Sequence, residues 1–195
     1  MQRAELFSYL SAFVTIVLAI AMTEMIQSTH RLIRSRAIIK WDALPLVFAA
    51  IVALFVLTEF FALWTRFNVT EVTMLRLLWL LATPTLFTLL AYSVLPDDVP
   101  PEGVDLTEFY WSQRKVWAAM YATAALLDLA RSLEPVVFHG EPFANSEWAP
   151  AIFTVVMLVG PALMFFSTSR RLNWIGVLWL VPFVALATFD LRIRV

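Results

Sequence analysis

The chain has 195 residues, of which 61% are apolar and only 15% charged, with a formal net charge of −1. A soluble domain carries about 45–50% apolar and about 25% charged residues, so the excess is larger than one packed core requires. Intrinsic disorder, a disulfide scaffold (there is no Cys) and an electrostatically driven nucleic-acid binder are excluded, and an all-α integral membrane protein is expected.

A helix needs roughly 20 mostly apolar residues to cross the hydrocarbon core of about 30 Å. Six stretches meet that need: Leu6–Ile26, Leu44–Trp64, Val72–Val94, Val116–Leu133, Ala149–Ser167 and Trp174–Thr188. The runs are too long for barrel strands and do not alternate, so they read as six transmembrane helices. Trp41, Trp64, Trp111, Trp148 and Trp174 fall at span ends, the depth amphipathic rings favour, whereas Trp79, Trp117 and Trp179 lie further in and read as packing residues. Basic residues concentrate in the first loop (Arg31, Arg34, Arg36, Lys40), the third (Arg114, Lys115) and the fifth (Arg170, Arg171). That bias places these loops in the cytoplasm, with both termini outside a cell (inner) membrane.

The chain also reads as doubled. A shift of 105 superposes Pro45 on Pro150, Phe48 on Phe153, Phe60-Phe61 on Phe165-Phe166, Arg66 on Arg171 and Asn68 on Asn173. A shift of 104 brings Glu24 onto Asp128 and Ser28 onto Ser132, and Leu78-Trp79-Leu80 matches Leu178-Trp179-Leu180. Three spans is an odd number, so a repeated half enters the membrane inverted, an architecture that transporters and channels share. The first-half loop His30–Lys40 is basic, while its counterpart Leu133–Glu147 holds three glutamates and no Lys or Arg. The expected organisation is one three-helix repeat over residues 1–95, an acidic Pro-rich linker over 96–108 and a second repeat over 109–195. Asp105 followed by Glu108 forms a capping-box pattern opening the fourth helix.

Ionisable groups at membrane depth are costly and point to function. Four stand out as pathway candidates: Glu59 near the outer end of span two, Arg76 entering span three from the same side, and Glu24 with Asp128 as mouths at opposite faces. Glu59 and Arg76 are placed to pair, and Arg131 lies three residues after Asp128. Thr83 and Thr85 flank Pro84, where a proline frees a carbonyl for hydroxyls or water to satisfy. Pro161 and Pro182 are the other in-span prolines, and all three read as tolerated kinks more readily than as helix breaks around a pathway. The only histidines, His30 and His139, lie in predicted loops, away from metal-ligand or triad spacing. No metal, cofactor, nucleic acid or enzymatic reaction is therefore expected, and the expected partners are the bilayer, further copies of the chain, and a proton or small cation. The function expected is a narrow ion channel or transporter pathway; the alternative is a non-conducting assembly protein that docks another membrane component.

Overall fold

A computed structural model describes residues 3–66, 74–133 and 145–189; side chains near the edges of these segments, and those of Arg76, Trp79 and Arg131, are outside the description. The described chain is helical: α1 (Arg3–Arg34), α2 (Ala43–Arg66), α3 (Met74–Ser93), α4 (Leu106–Ser132), α5 (Asn145–Met157), α6 (Val159–Phe166), α7 (Arg170–Trp179) and α8 (Val181–Phe189). Two short strands, β1 (Ile39–Lys40) and β2 (Val104–Asp105), pair in parallel. Each of the six apolar stretches is mostly helical where described. The fifth becomes α5–α6, interrupted at Leu158, and the sixth becomes α7–α8, interrupted at Leu180. Both breaks have the same cause. A proline ring clashes with the carbonyl four residues earlier, which is Met157 for Pro161 and Leu178 for Pro182, next to the points where α5 and α7 stop. Pro84 behaves differently and stays inside α3, where the Thr88 hydroxyl donates to the Pro84 carbonyl oxygen at 2.8 Å.

Among the described residues two helices, rather than the six expected, are long and apolar enough to cross a membrane: Tyr9–Arg34 within α1, with mean hydropathy 1.9, and Ala43–Phe61 within α2, with mean hydropathy 2.4. Leu81–Ser93 and Ala151–Phe166 are shorter apolar helices. The first helix also runs further than composition indicated. It takes in His30, Arg31 and Arg34, which the sequence reading left in a loop, because nothing before Ser35 breaks it and its last turn favours basic side chains.

The faces of α1 explain its weak amphipathicity. Val14, Leu18, Ala21, Met25 and Leu32 repeat at steps of three, four and seven, and this seam is buried against α2 and α3. Tyr9, Phe13, Ile16 and Ile20 form an equally apolar stripe that is exposed. Further large apolar side chains stand exposed on the later helices, among them Ile152, Val155, Phe166, Ile175 and Leu186.

The middle of the bundle is α4, which packs on α2, α3, α5 and α6, whereas the extensive contacts of α1 are with α2 and α3. Trp117 of α4 is fully buried, stacked on Phe48 at 5.3 Å with Tyr110 edge-on at 5.7 Å, and its indole N–H donates to the Ser93 carbonyl oxygen at 3.0 Å. A buried indole is expected to find such a partner. Gly160 of α6 and Gly176 of α7 face each other at a crossing so close that a Cβ on either would lie 2.7 or 2.8 Å from the other's carbonyl oxygen.

The loops preceding α2, α4 and α7 meet at one end of the bundle. Asp42 caps α2 by accepting the Leu44 N–H at 3.0 Å. It also accepts the Thr107 hydroxyl at 3.0 Å and the Arg170 guanidinium at 2.8 Å, joining the starts of α2, α4 and α7. Tyr110 donates its hydroxyl to Asn173 at 2.7 Å, and the Asn173 amide donates to the Ser167 and Ser169 carbonyl oxygens, each at 3.0 Å. Asn173 is thus buried with both ends of its amide satisfied. Burial raises the Tyr110 phenol above its ordinary pKa, which keeps it a neutral donor. Arg114, also buried, donates to the Met164 and Phe165 carbonyl oxygens at the end of α6 and lies over the Trp111 ring at 4.8 Å. A cation at a helix C-terminus satisfies carbonyls left without intrahelical partners.

The acidic segment before α4 is anchored at this end rather than hanging free. Ile39 pairs with Val104 and Lys40 with Asp105. Asp105 caps α4, accepting the Thr107 N–H at 2.9 Å and the Glu108 N–H at 3.2 Å, as its sequence pattern anticipates. The Glu108 N–H is the main reason its carboxyl titrates below the ordinary 3.8; the Thr107 N–H and Lys40 add to it. A carboxyl with a lowered folded pKa supports the fold above its unfolded value and loses that support as pH falls through the folded value. The thermal midpoint of the wild type should therefore drop more steeply than that of Asp105→Asn as pH is taken from 5 down past the ordinary aspartate value, about 4. Parallel slopes in the two melting series would remove the cap from this role.

Candidate functional site

A cavity of about 110 Å³ lies between α2, α3, α4, α5 and α8. It sits toward the C-terminal ends of α2 and α4, whereas the Asp42 cluster joins their N-terminal ends. Thr58 and Glu59 enter from α2, Thr83 from α3 and Asp128 from α4. The aromatic wall is Phe55, Phe87, Tyr121, Phe153 and Phe183. Helical spacing puts these groups on one face. Phe55 and Glu59 are one turn apart, as are Thr83 and Phe87, and Tyr121 and Asp128 are two turns apart. The small side chains of Ala124 and Ala125 lie between Tyr121 and Asp128 and leave the volume open. Phe55 meets Tyr121 edge-on at 5.1 Å and Phe87 face-on at 5.7 Å, while Phe153 meets Phe183 edge-on at 5.0 Å. The Tyr121 hydroxyl is 3.5 Å from the Met157 sulfur.

Glu59, Asp128 and Thr83, considered separately in the sequence, therefore share one chamber. Glu59 and Asp128 both have interaction partners of their own. At about 30 Å³ per water, the chamber has room for three or four. Two carboxylates and two threonines can hold such water or a cation, and aromatic rings line much of the remaining wall.

The other candidates lie elsewhere. Glu24 sits on α1 in an ion pair with Arg31 at 2.6 Å, bridged by Ser28, which donates to Glu24 at 3.3 Å and accepts from Arg31 at 2.8 Å. Ser28 is buried on the α1 seam, so this trio clamps polar atoms within a packed face. Glu24 is ten residues before the end of α1, about 15 Å at 1.5 Å per residue, rather than at a helix mouth. Thr85 is exposed and donates to the Leu81 carbonyl oxygen at 2.7 Å, outside the chamber. The side chains of Arg76 and Arg131 are outside the described residues, and with them the expected Glu59–Arg76 pair. Among the described residues no group of three His, Asp or Glu side chains is arranged to hold a metal ion. Sequence reasoning missed Asp42, Thr107, Arg170 and Asn173; the one local signal was Asp42 two residues before Leu44 at the start of an apolar run, an N-cap position.

Compared with models of protein families, with curated proteins and with solved structures, the chain matches none.

Proposed function

We propose that the chain is a multi-pass protein of the cell (inner) membrane, built as two inverted three-helix repeats, and that the chamber between α2, α3, α4, α5 and α8 forms part of a narrow pathway for protons or small cations. The observation that carries this reading is the convergence of Glu59, Asp128 and Thr83 on one chamber from helices of both halves. Residence in lipid is supported by α1, whose two faces are both apolar although only one is packed. A soluble core helix buries such a surface all round, and only 22% of the α1 apolar window is buried. The repeat is supported by the equivalent pairs Glu24 with Ser28 and Asp128 with Ser132. The equivalence is one of sequence position: Ser28 donates to the Glu24 carboxylate, whereas Ser132 donates to the Asp128 backbone carbonyl.

Carboxylates facing a narrow chamber attract cations by electrostatic focusing. At the other end, Phe48, Tyr110 and Trp117 close the bundle, so a complete path requires movement there. Purified protein in liposomes carrying a pH-sensitive dye should pass protons or monovalent cations above the empty-vesicle rate, and Glu59→Gln should lower that flux at least tenfold. Equal flux from Glu59→Gln and wild type would overturn the pathway through this chamber.

The second reading, a non-conducting docking protein, is favoured by the breadth of the exposed apolar side faces on α5, α6, α7 and α8. Vesicles silent to every ion tested, with stable co-purification of a second membrane protein, would select it.

A further inference from the structure

We propose that the chamber is a cage for a small organic ammonium ion, an inference that rests on the cation pathway above and names the class of cation it accepts. The donor set sets the argument. A bare metal cation replaces its hydration shell with several oxygens, six to eight for calcium. Here the polar lining offers seven oxygens, from two carboxylates, Thr58, Thr83 and Tyr121, but both carboxylates have partners of their own and the Tyr121 hydroxyl is turned toward Met157, which leaves too few for a full shell. The rest of the lining is predominantly aromatic. Rings from α2, α3, α4, α5 and α8 line the space, and an aromatic lining favours a cation whose own surface is apolar over a strongly hydrated one. Glu59 and Asp128 provide the counter-charge without needing to complete a coordination sphere. Size sets tetramethylammonium as the upper bound: about 110 Å³ corresponds to three or four non-hydrogen atoms on the scale of about 30 Å³ per water, one fewer than that ion has. Ala124 and Ala125 matter because a longer side chain at either position on α4 would project into that volume.

The test is calorimetric titration of the purified full chain in detergent with tetramethylammonium chloride, and separately with sodium chloride. The expected result is saturable tetramethylammonium binding at least tenfold tighter than sodium. Phe87→Leu, which keeps an apolar side chain but removes the ring, and Glu59→Gln should each weaken it at least fivefold. Thr85→Val, outside the chamber, should leave it unchanged. If Glu59→Gln fails to fold, Asp128→Asn takes its place in the comparison. Absence of saturable tetramethylammonium binding, sodium binding of equal strength, or indifference to Phe87→Leu would overturn the cage. Liposome flux separates this from the underlying reading. Proton flux without ammonium binding defeats the cage and leaves the pathway standing, whereas ammonium binding without flux of any ion leaves the cage and defeats the pathway.

Discussion

Asp42→Ala should cost the fold about 2–4 kcal/mol, read as a lower thermal midpoint of the detergent-solubilised protein. Its side chain is only 2% exposed and accepts from three elements at once, the Leu44 N–H, the Thr107 hydroxyl and the Arg170 guanidinium. The cap alone is worth about 1 kcal/mol, and here it serves a first turn in which Pro45 has no N–H to offer. The higher end of the range reflects the burial of the Leu44 N–H, which loses its acceptor at a penalty of about 1–3 kcal/mol, and the lost partner of the half-buried Thr107 hydroxyl. Arg170 is half exposed and can return to water once Asp42 is lost; Arg170→Gln instead leaves a buried carboxylate with the Leu44 and Thr107 donors but no counter-charge, and should cost about 1–2 kcal/mol, less than Asp42→Ala. Equal destabilisation by the two substitutions would mean that the ion pair, rather than the cap and the hydroxyl, dominates this junction.

Gly103→Ala is the second large effect, and it should lower stability by about 3 kcal/mol or more. Gly103 has φ +90°, a conformation that costs any other residue, and its backbone passes so close to Ile38 that a Cβ would overlap the Ile38 carbonyl oxygen. Backbone cannot yield as a flexible side chain can, so the pairing of Ile39 with Val104 and of Lys40 with Asp105 must open. Because the same segment delivers Asp105 and Thr107, the start of α4 should loosen with it. Hydrogen exchange would show this as lost protection at Thr107 and Glu108, with the α1–α3 contact spared. Unchanged protection at these two amides would contradict the assigned role of the glycine.

The positions of the helices were legible because long apolar runs report directly on which segments cannot stay in water. Their true lengths were not. Arg31 and Arg34 extend α1, and Leu106 starts α4 ten residues before Val116, since a helix can continue past its apolar stretch once capped or charged appropriately. The three prolines read alike, as tolerated kinks more readily than as breaks; Pro161 and Pro182 nevertheless sit at interruptions while Pro84 stays inside α3, so surroundings decided. Glu59 and Asp128 were visible as costly charges. Their shared chamber was not, because α2, α3 and the second half of α4 are apolar on nearly every face and give little periodicity from which to read their rotation. The Asp42 junction was the least visible feature. Its members are separated by 65 and 128 positions and meet only after the helices have packed.

Side-specific thiol labelling of this cysteine-free chain is the most direct check on a lipid-embedded bundle with its first, third and fifth loops on one side. Single substitutions Lys40→Cys and Thr168→Cys should react with a membrane-impermeant maleimide only from the cytoplasmic face of sealed vesicles, and Glu141→Cys only from the other. Positions 40 and 141 reacting from the same compartment, or all three reacting freely in a protein that washes off the membrane, would contradict it.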